Sequence, residues 1–125
     1  MRYLTVAEVL EIHAEVMGGH AALRDLGLLE SAVVRPQASA FGRDAYPDVV
    51  SKAAALLHSL VLNHPFLDGN KRTAVLATLV FADLNGYQLC WDQNEALDFV
   101  LRLADGQVEL EDVVRFLGSR MLFRA

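Results

Sequence analysis

Apolar residues recur every three or four positions through most of this chain, which is the spacing of one face of an α-helix. The first such stretch covers residues 6–17, opens on a Thr5–Glu8 capping box and stops at a pair of glycines. A second, Gly27–Arg35, ends before Pro36, because the residue before a proline disfavours helical backbone. The pattern therefore predicts two helices in this region.

The same periodicity predicts four more helices further along the chain. They cover residues 49–62 behind a capping Asp48, 70–84, 92–104 behind an Asp92–Glu95 capping box, and 109–119. Residues 36–47 carry no apolar period and are expected to form a loop or flap, while 87–91 is short and extended. The 70–84 stretch is apolar nearly all round, which is typical of a helix at the centre of a domain.

These elements predict an all-α fold of about six helices around a central buried helix, with residues 1–125 forming one domain. Composition supports this, because 54% of the residues are hydrophobic and disorder is not expected. The single cysteine, Cys90, excludes an internal disulfide.

Charge and hydropathy indicate where in the cell the protein is expected and which classes of partner it would bind. No charged segment followed by an apolar one opens the chain, and no apolar run approaches the ~20 residues of a membrane span. A cytoplasmic protein without a membrane partner is therefore expected. The net charge of −5 argues against direct binding of nucleic acid through a basic face.

Polar chemistry is concentrated in residues 64–72, HPFLDGNKR, at the entrance of the 70–84 helix. A helix N-terminus has unpaired N–H groups and the positive end of the dipole, so it attracts anions. Lys71 and Arg72 add cations where acidic residues would be more favourable, which makes sense if an anion lies between them. Asp68 is a ligand suited to Mg²⁺, and His64 can act as a general base near neutral pH.

Two interpretations of this segment remain open from the residues alone. It can be a capped turn between two core helices, or a site that grips a phosphate and moves a proton. Each residue by itself is explained by the turn, but the combination favours phosphoryl or nucleotidyl transfer. The common glycine-rich phosphate loops are absent from the sequence. His13 and His58, which lie within predicted helices, are interpreted as structural.

Residues 64–72 resemble the signature of the Fic/Doc superfamily, H-P-F-x-[DE]-G-N-x-R. Lys71, where AMP-transferring Fic proteins usually carry glycine, is similar to the Doc ("death on curing") branch. GLLESAVVRPQ, YPDVVSKAAALLHSLVLNHPF and LVFADLNGY also look like this family, so the resemblance covers most of residues 8–90. It implies a compact helical Fic/Doc fold and a toxin of a toxin–antitoxin pair that uses ATP and Mg²⁺.

The resemblance also implies a role for each residue of the signature. His64 would take the proton from a target hydroxyl, Phe66 would anchor the loop in the core, and Asp68 would hold Mg²⁺. The phosphate- and nucleotide-binding residues would be Gly69, Asn70, Lys71 and Arg72.

Two positions depart from patterns seen in the family. Val75 stands where Fic enzymes often have a second arginine, which fits the Doc branch better than AMP transfer. Leu62 stands where some Doc proteins have an arginine, so one phosphate contact is absent. The segment 36–47 occupies the place of the family's flap, which would receive an extended stretch of target.

The resulting expectation is transfer of the γ-phosphate of ATP to a Ser or Thr hydroxyl of a translation elongation factor, halting protein synthesis. The partners would be that target and a cognate antitoxin. Two alternatives remain: AMP transfer to a protein hydroxyl by the same site, and an inactive family member that only binds its antitoxin.

Overall fold

The computed structural model describes residues 1–124, and over that range the chain forms six α-helices and four short strands. The helices are α1 (Val6–Met17), α2 (Leu26–Val34), α3 (Val49–Asn63), α4 (Asn70–Leu84), α5 (Gln93–Ala104) and α6 (Leu110–Gly118). The strands are β1 (Ser39–Ala40), β2 (Arg43–Asp44), β3 (Tyr87–Leu89) and β4 (Met121–Phe123). The predicted all-α architecture is therefore confirmed.

Short-range capping explains where several helices begin. The Thr5 hydroxyl accepts from the backbone N–H of Glu8, and the Glu8 carboxylate accepts from that of Thr5, which confirms the predicted box. Asp48 and Ser51 make the same reciprocal pair at the start of α3. These contacts satisfy N–H groups that have no partner inside their helices.

The capping box predicted at the start of α5 is wrong in one respect. The Asp92 side chain makes no capping hydrogen bond, and the Glu95 carboxylate instead forms an ion pair with Arg120, which follows α6. A tertiary contact has replaced a local one. The predicted extended segment after α4 is confirmed as β3, which pairs antiparallel with β4, a strand that the sequence pattern did not predict.

The core is built around α3, which packs against α2, α4, α5 and α6. Nine of its 15 residues are buried, among them six leucine and alanine positions that have 0–1% exposure, namely Ala53, Ala54, Ala55, Leu56, Leu57 and Leu60. The sequence pattern places α4 at the centre, but Leu76, Leu79 and Val80 of α4 stay partly exposed in the structure. One apolar face of α4 therefore packs into the core, and the opposite apolar face lines an open groove.

The predicted flap is an ordered hairpin. A single 3-10 turn, Arg35–Gln37, leads into β1 and β2, which pair antiparallel through a turn at Phe41 and Gly42. Both turn residues have positive φ, 54° and 76°, as the tight turns of β-hairpins require. Phe41 is fully exposed at the tip.

Two side chains from outside the hairpin hold its base. The ammonium of Lys52, 2% exposed on α3, donates to the Pro36 carbonyl at 3.2 Å and to the Asp44 carboxylate at 3.3 Å. Arg35 donates to the Tyr46 hydroxyl at 2.8 Å and to Nδ1 of His58 at 2.7 Å. Burial and the Arg35 charge lower the pKa of His58, and its contact with Arg35 ties it to the base of the hairpin.

None of the helices within residues 1–124 has the length and apolarity needed to cross a lipid bilayer.

Candidate active site

His64 lies at the C-terminal cap of α3, directly before Pro65. Its backbone has φ 51° and ψ 55°, a left-handed conformation that is uncommon for any residue other than glycine. Proline has no N–H and cannot continue the helix, so the chain turns sharply here. The His64 side chain is thereby left exposed at the helix end.

Phe66 points the opposite way, into the core, with 1% exposure. Its ring stacks on the ring of His13 from α1, with centroids 3.7 Å apart and planes 8° from parallel. Nδ1 of the fully buried His13 lies 2.8 Å from the Thr73 hydroxyl in the first turn of α4. Burial lowers the pKa of His13, with Asp68 opposing and Arg72 adding to the shift, which favours the neutral form of the ring.

Asn70, 4% exposed, closes the loop between the two helices. Its side-chain oxygen accepts from the backbone N–H of Phe66 at 2.9 Å, and its amide nitrogen donates to the Phe66 carbonyl at 2.9 Å. The side-chain amide is committed to the loop, so Asn70 can offer an anion its backbone N–H. Its position suits a residue that shapes a phosphate cradle.

Gly69 is required by packing as well as by backbone conformation. Its φ is 74°, and a Cβ added there would lie 2.8 Å from Sδ of Met17 and 3.4 Å from Cε1 of His13. The family resemblance implies that this glycine is part of the phosphate-binding segment. The structure gives a further reason, because α1 packs directly against the loop at this point.

The N-terminus of α4 carries free donors and unpaired charge. Among residues 1–124, no protein group accepts a hydrogen bond from the backbone N–H of Asn70, Lys71 or Arg72. Neither the Lys71 nor the Arg72 side chain forms an ion pair within this range. Free N–H groups and cations at a helix N-terminus are the arrangement that attracts anions in proteins.

His64 and the α4 terminus face one cleft of about 320 Å³. Leu67 and, from α5, Leu97 and Leu101 form its apolar walls. The polar lining residues are His64, Asp68, Gly69, Asn70, Lys71 and Arg72. The structure thus brings every predicted site residue except the buried Phe66 to one cleft, and Phe66 lies directly beneath it.

The donor set fits a divalent cation held together with phosphates. One oxygen of the exposed Asp68 carboxylate accepts from the backbone N–H of Gly69 at 2.8 Å, which orients the group. The described part of the chain contains no cluster of three side chains able to hold a metal by themselves. Mg²⁺ commonly binds through one or two carboxylates plus substrate phosphates, and Asp68 beside Lys71 and Arg72 matches that arrangement.

Sequence reasoning missed residues that complete the site. Leu97 and Leu101 come from α5, and Arg24 from the loop before α2 donates to the carbonyl of His64. Their only sequence signal is membership of an apolar stripe or a loop, so nothing linked them to residues 64–72. At the two departures from the family, Leu62 is 47% exposed on the last turn of α3 and Val75 is 8% exposed.

Comparison with known proteins agrees with this geometry. The sequence model of the Fic/DOC family matches residues 3–82. The chain belongs to the Fic/DOC family. It is 44% identical over 119 residues to "Toxin Doc" of Mycolicibacterium smegmatis, covering 94% of this chain and 92% of that protein. It is also 32% identical over 129 residues to "Protein kinase doc" of Escherichia phage P1, covering 95% and 98%.

Proposed function

We propose that this protein is the toxin of a toxin–antitoxin pair and transfers the γ-phosphate of ATP to a Ser or Thr hydroxyl of a target protein. The names of both relatives, a toxin and a protein kinase, support the proposal. The observation that carries it is the cleft in which the exposed His64 faces the cationic N-terminus of α4. A proton acceptor and a polyphosphate site are thereby combined.

Each group in the cleft has a part in this reaction. The His64 imidazole accepts the proton of the attacking hydroxyl, and the free N–H groups of α4 bind and orient phosphate oxygens. Lys71 and Arg72 neutralise negative charge that develops on the transferred group and on the ADP that leaves. Asp68 would hold Mg²⁺, which when bound supplies further charge neutralisation between phosphates.

The proposed target is a translation elongation factor, whose modification would halt protein synthesis in the cytoplasm. This identity follows from the Doc resemblance. The β1–β2 hairpin is suited to presenting an extended target segment to His64, because both of its two-residue strands are exposed.

Lys71 favours phosphate transfer over AMP transfer by the same cleft. Its side chain occupies volume in the first turn of α4 and adds a charge that glycine would not. We infer that the triphosphate lies with its γ-phosphate toward His64. Leu62 is the observation in favour of an inactive antitoxin-binding protein, because it removes one possible phosphate contact.

Incubation with cell lysate and ATP labelled separately at the α- and γ-phosphates tests the proposal. Label from the γ-position on a protein band, with a mass increase of one phosphate on the intact target, is the expected result. Label from the α-position would establish AMP transfer instead. Absence of both labels, with folded protein and Mg²⁺ present, would leave the inactive alternative.

A further inference from the structure

Three successive backbone carbonyls at the end of α3 accept hydrogen bonds from one residue, Arg24. Its Nη2 donates to the Asn63 carbonyl at 3.0 Å, and its Nε donates to the His64 carbonyl at 2.7 Å. Its backbone N–H donates to the Pro65 carbonyl at 2.8 Å. Arg24 therefore contacts the backbone on both sides of the His64 side chain.

These carbonyls need a donor from elsewhere in the chain. The last carbonyls of a helix have no partner inside it, and the local N–H groups of a left-handed cap bond carbonyls one turn earlier in the helix. The residue after the His64 cap is Pro65, which has no N–H and ends the helix. The Asn63 and His64 carbonyls receive their hydrogen bonds from the side chain of Arg24, 39 and 40 positions upstream.

The backbone around Arg24 follows the loop as well. The N–H of Asp25 also donates to the Pro65 carbonyl, at 3.0 Å, and the N–H of Leu67 donates to the Ala22 carbonyl at 2.8 Å. Leu23 and Phe66 form an antiparallel bridge. Residues 22–25 thus lie along the loop like a short strand, which fixes where the Arg24 side chain begins.

The Arg24 side chain has no other partner in the described chain. It is exposed, and none of the ion pairs within residues 1–124 includes it. A guanidinium presents two N–H groups in a rigid fork, which suits two neighbouring carbonyls, and its charge suits the negative end of the α3 dipole. Loss of this side chain would expose the carbonyls to water without opening the core.

We propose that Arg24 is a positioning residue for His64, holding its backbone in the left-handed conformation that aims the imidazole into the cleft. The proposal rests on the proposed transferase function for its catalytic consequence. Without the fork, the His64 backbone would sample other conformations, and the imidazole would spend less time beside the target hydroxyl. Misplacement of about 1 Å at a reacting group can cost on the order of 10²-fold in rate.

Arg24→Met tests this, because methionine keeps an unbranched side chain and removes the fork. We expect kcat for phosphate transfer to fall at least about tenfold, with KM for ATP within about twofold. Lysine can reach one carbonyl, so kcat of Arg24→Lys should lie between the values of the unaltered protein and Arg24→Met. Arg115→Met, which removes an exposed arginine from α6, is the matched control and should leave kcat unchanged.

A second measurement separates this proposal from the function on which it rests. The NMR amide and Cα resonances of His64 and Phe66 should shift in Arg24→Met and stay in place in Arg115→Met. Unchanged resonances, or a kcat within about twofold of the unaltered protein, would overturn the proposal, as would a loss confined to KM. If the unaltered protein transfers no phosphate, the transferase function fails and the resonances alone decide the role of Arg24.

Discussion

The residues of the signature alternate between solvent and core. His64 and Asp68 are exposed, whereas Phe66 and Asn70, each two positions further along, have 1% and 4% exposure. The exposed residues carry the proposed chemistry, and the buried ones hold the loop through ring stacking and two hydrogen bonds to the backbone. Chemistry and packing therefore fall on different residues of the same short segment.

His64→Ala should abolish transfer while leaving the fold intact. The residue is exposed, so the free energy of unfolding should change by less than about 0.5 kcal/mol. Loss of a general base typically lowers the rate by about 10²–10⁴-fold. Phosphate incorporation and thermal melting are the measurements, with His20→Ala as the control at another exposed histidine. Near-normal activity in His64→Ala would disprove the mechanism.

Lys71→Gly addresses which phosphate is transferred. This change opens space at the first turn of α4 and removes a positive charge there. Phosphate transfer should therefore fall, and some AMP transfer should appear. Intact-mass analysis of the target distinguishes the two products by a nucleoside unit. Lys71→Met, which keeps most of the volume, should lose phosphate transfer without gaining AMP transfer. An AMP-sized shift with the unaltered protein would mean that Lys71 does not direct the nucleotide.

At the scale of the elements, the sequence predicts what is decided locally. The six helices, the capping box at Thr5 and the cap at Asp48 follow from apolar spacing and from local side chains. The Asp92–Glu95 box does not form as predicted, because the Asp92 side chain makes no capping hydrogen bond, and Glu95 binds Arg120, a contact across 25 positions that no local pattern indicates. The β4 strand is missed for the same kind of reason, since a three-residue strand is defined only by its partner, β3.

The candidate site divides in the same way. Residues 64–72 could be predicted because they are contiguous and carry a recognisable signature. His13 and Arg24 could not, since their contacts with Thr73 and His64 span 60 and 40 positions and form only on folding. The role of a polar residue outside the signature depends on which carbonyl or ring it meets.

The β1–β2 hairpin should bind the target through its tip. Phe41 is fully exposed at the hairpin tip with positive φ, an unusual conformation for a large side chain, and the hairpin is the segment that the Doc resemblance assigns to target binding. Phe41→Ser should raise KM for the protein target several-fold, with KM for ATP and the melting temperature unchanged. Steady-state kinetics with purified target measures this, and Phe123→Ser, an exposed phenylalanine on β4, is the control. Equal effects of both variants would argue against the role of the hairpin.

The capping box of α1 should make stability depend on pH in the acid range. Hydrogen bonds from Arg2 and from the backbone of Thr5 lower the pKa of Glu8 from 4.5 to about 2. Because the pKa of Glu8 is lower in the folded state than in the unfolded state, the ionised carboxylate stabilises the folded protein above pH 4.5. This stabilisation is lost as the pH falls towards 2.

Glu8→Gln isolates this effect, because glutamine keeps the capping hydrogen bonds and loses the charge. The difference in unfolding free energy between the two proteins should be largest near neutral pH and should shrink below pH 4.5. Urea titrations at a series of pH values provide the measurement. A difference that does not change with pH would show that folding does not lower the pKa of Glu8.

At the scale of the whole molecule, α4 separates the candidate active site from an apolar groove. This α1–α4 groove has a volume of about 900 Å³ and is lined by Leu4, Ile12, Leu76 and Val80. A neighbouring cleft of about 400 Å³ continues past Leu79 and Trp91 and includes Arg72 and Leu97, which also line the active-site cleft. A partner in the groove would therefore have a continuous path to the N-terminal end of α4, which lines the candidate active-site cleft.

The chemistry of the groove defines the antitoxin segment that would fit it. Glu11 and Glu15 stand exposed on its α1 edge, and neither forms an ion pair within residues 1–124. An amphipathic helix with an apolar stripe and a Lys- or Arg-rich edge is complementary to such a surface. Such a segment would be disordered when free and would fold on binding. Because folding costs conformational entropy, its affinity for the groove would depend on both the apolar contacts and the charges.

Expression of this protein alone in bacteria should arrest growth, and co-expression of the antitoxin encoded beside it should restore growth. The double change Glu11→Lys and Glu15→Lys places like charges against the basic edge, so it should weaken antitoxin binding at least about tenfold, the effect of 1.4 kcal/mol. The altered toxin should still arrest growth, because both residues lie outside the active-site cleft. The charge-matched control carries Glu30→Lys on α2 and Glu111→Lys on α6. Co-expression of the antitoxin should still restore growth fully with this variant. Unimpaired rescue of the Glu11 and Glu15 variant, with equal dissociation constants by titration calorimetry, would place the antitoxin on another surface.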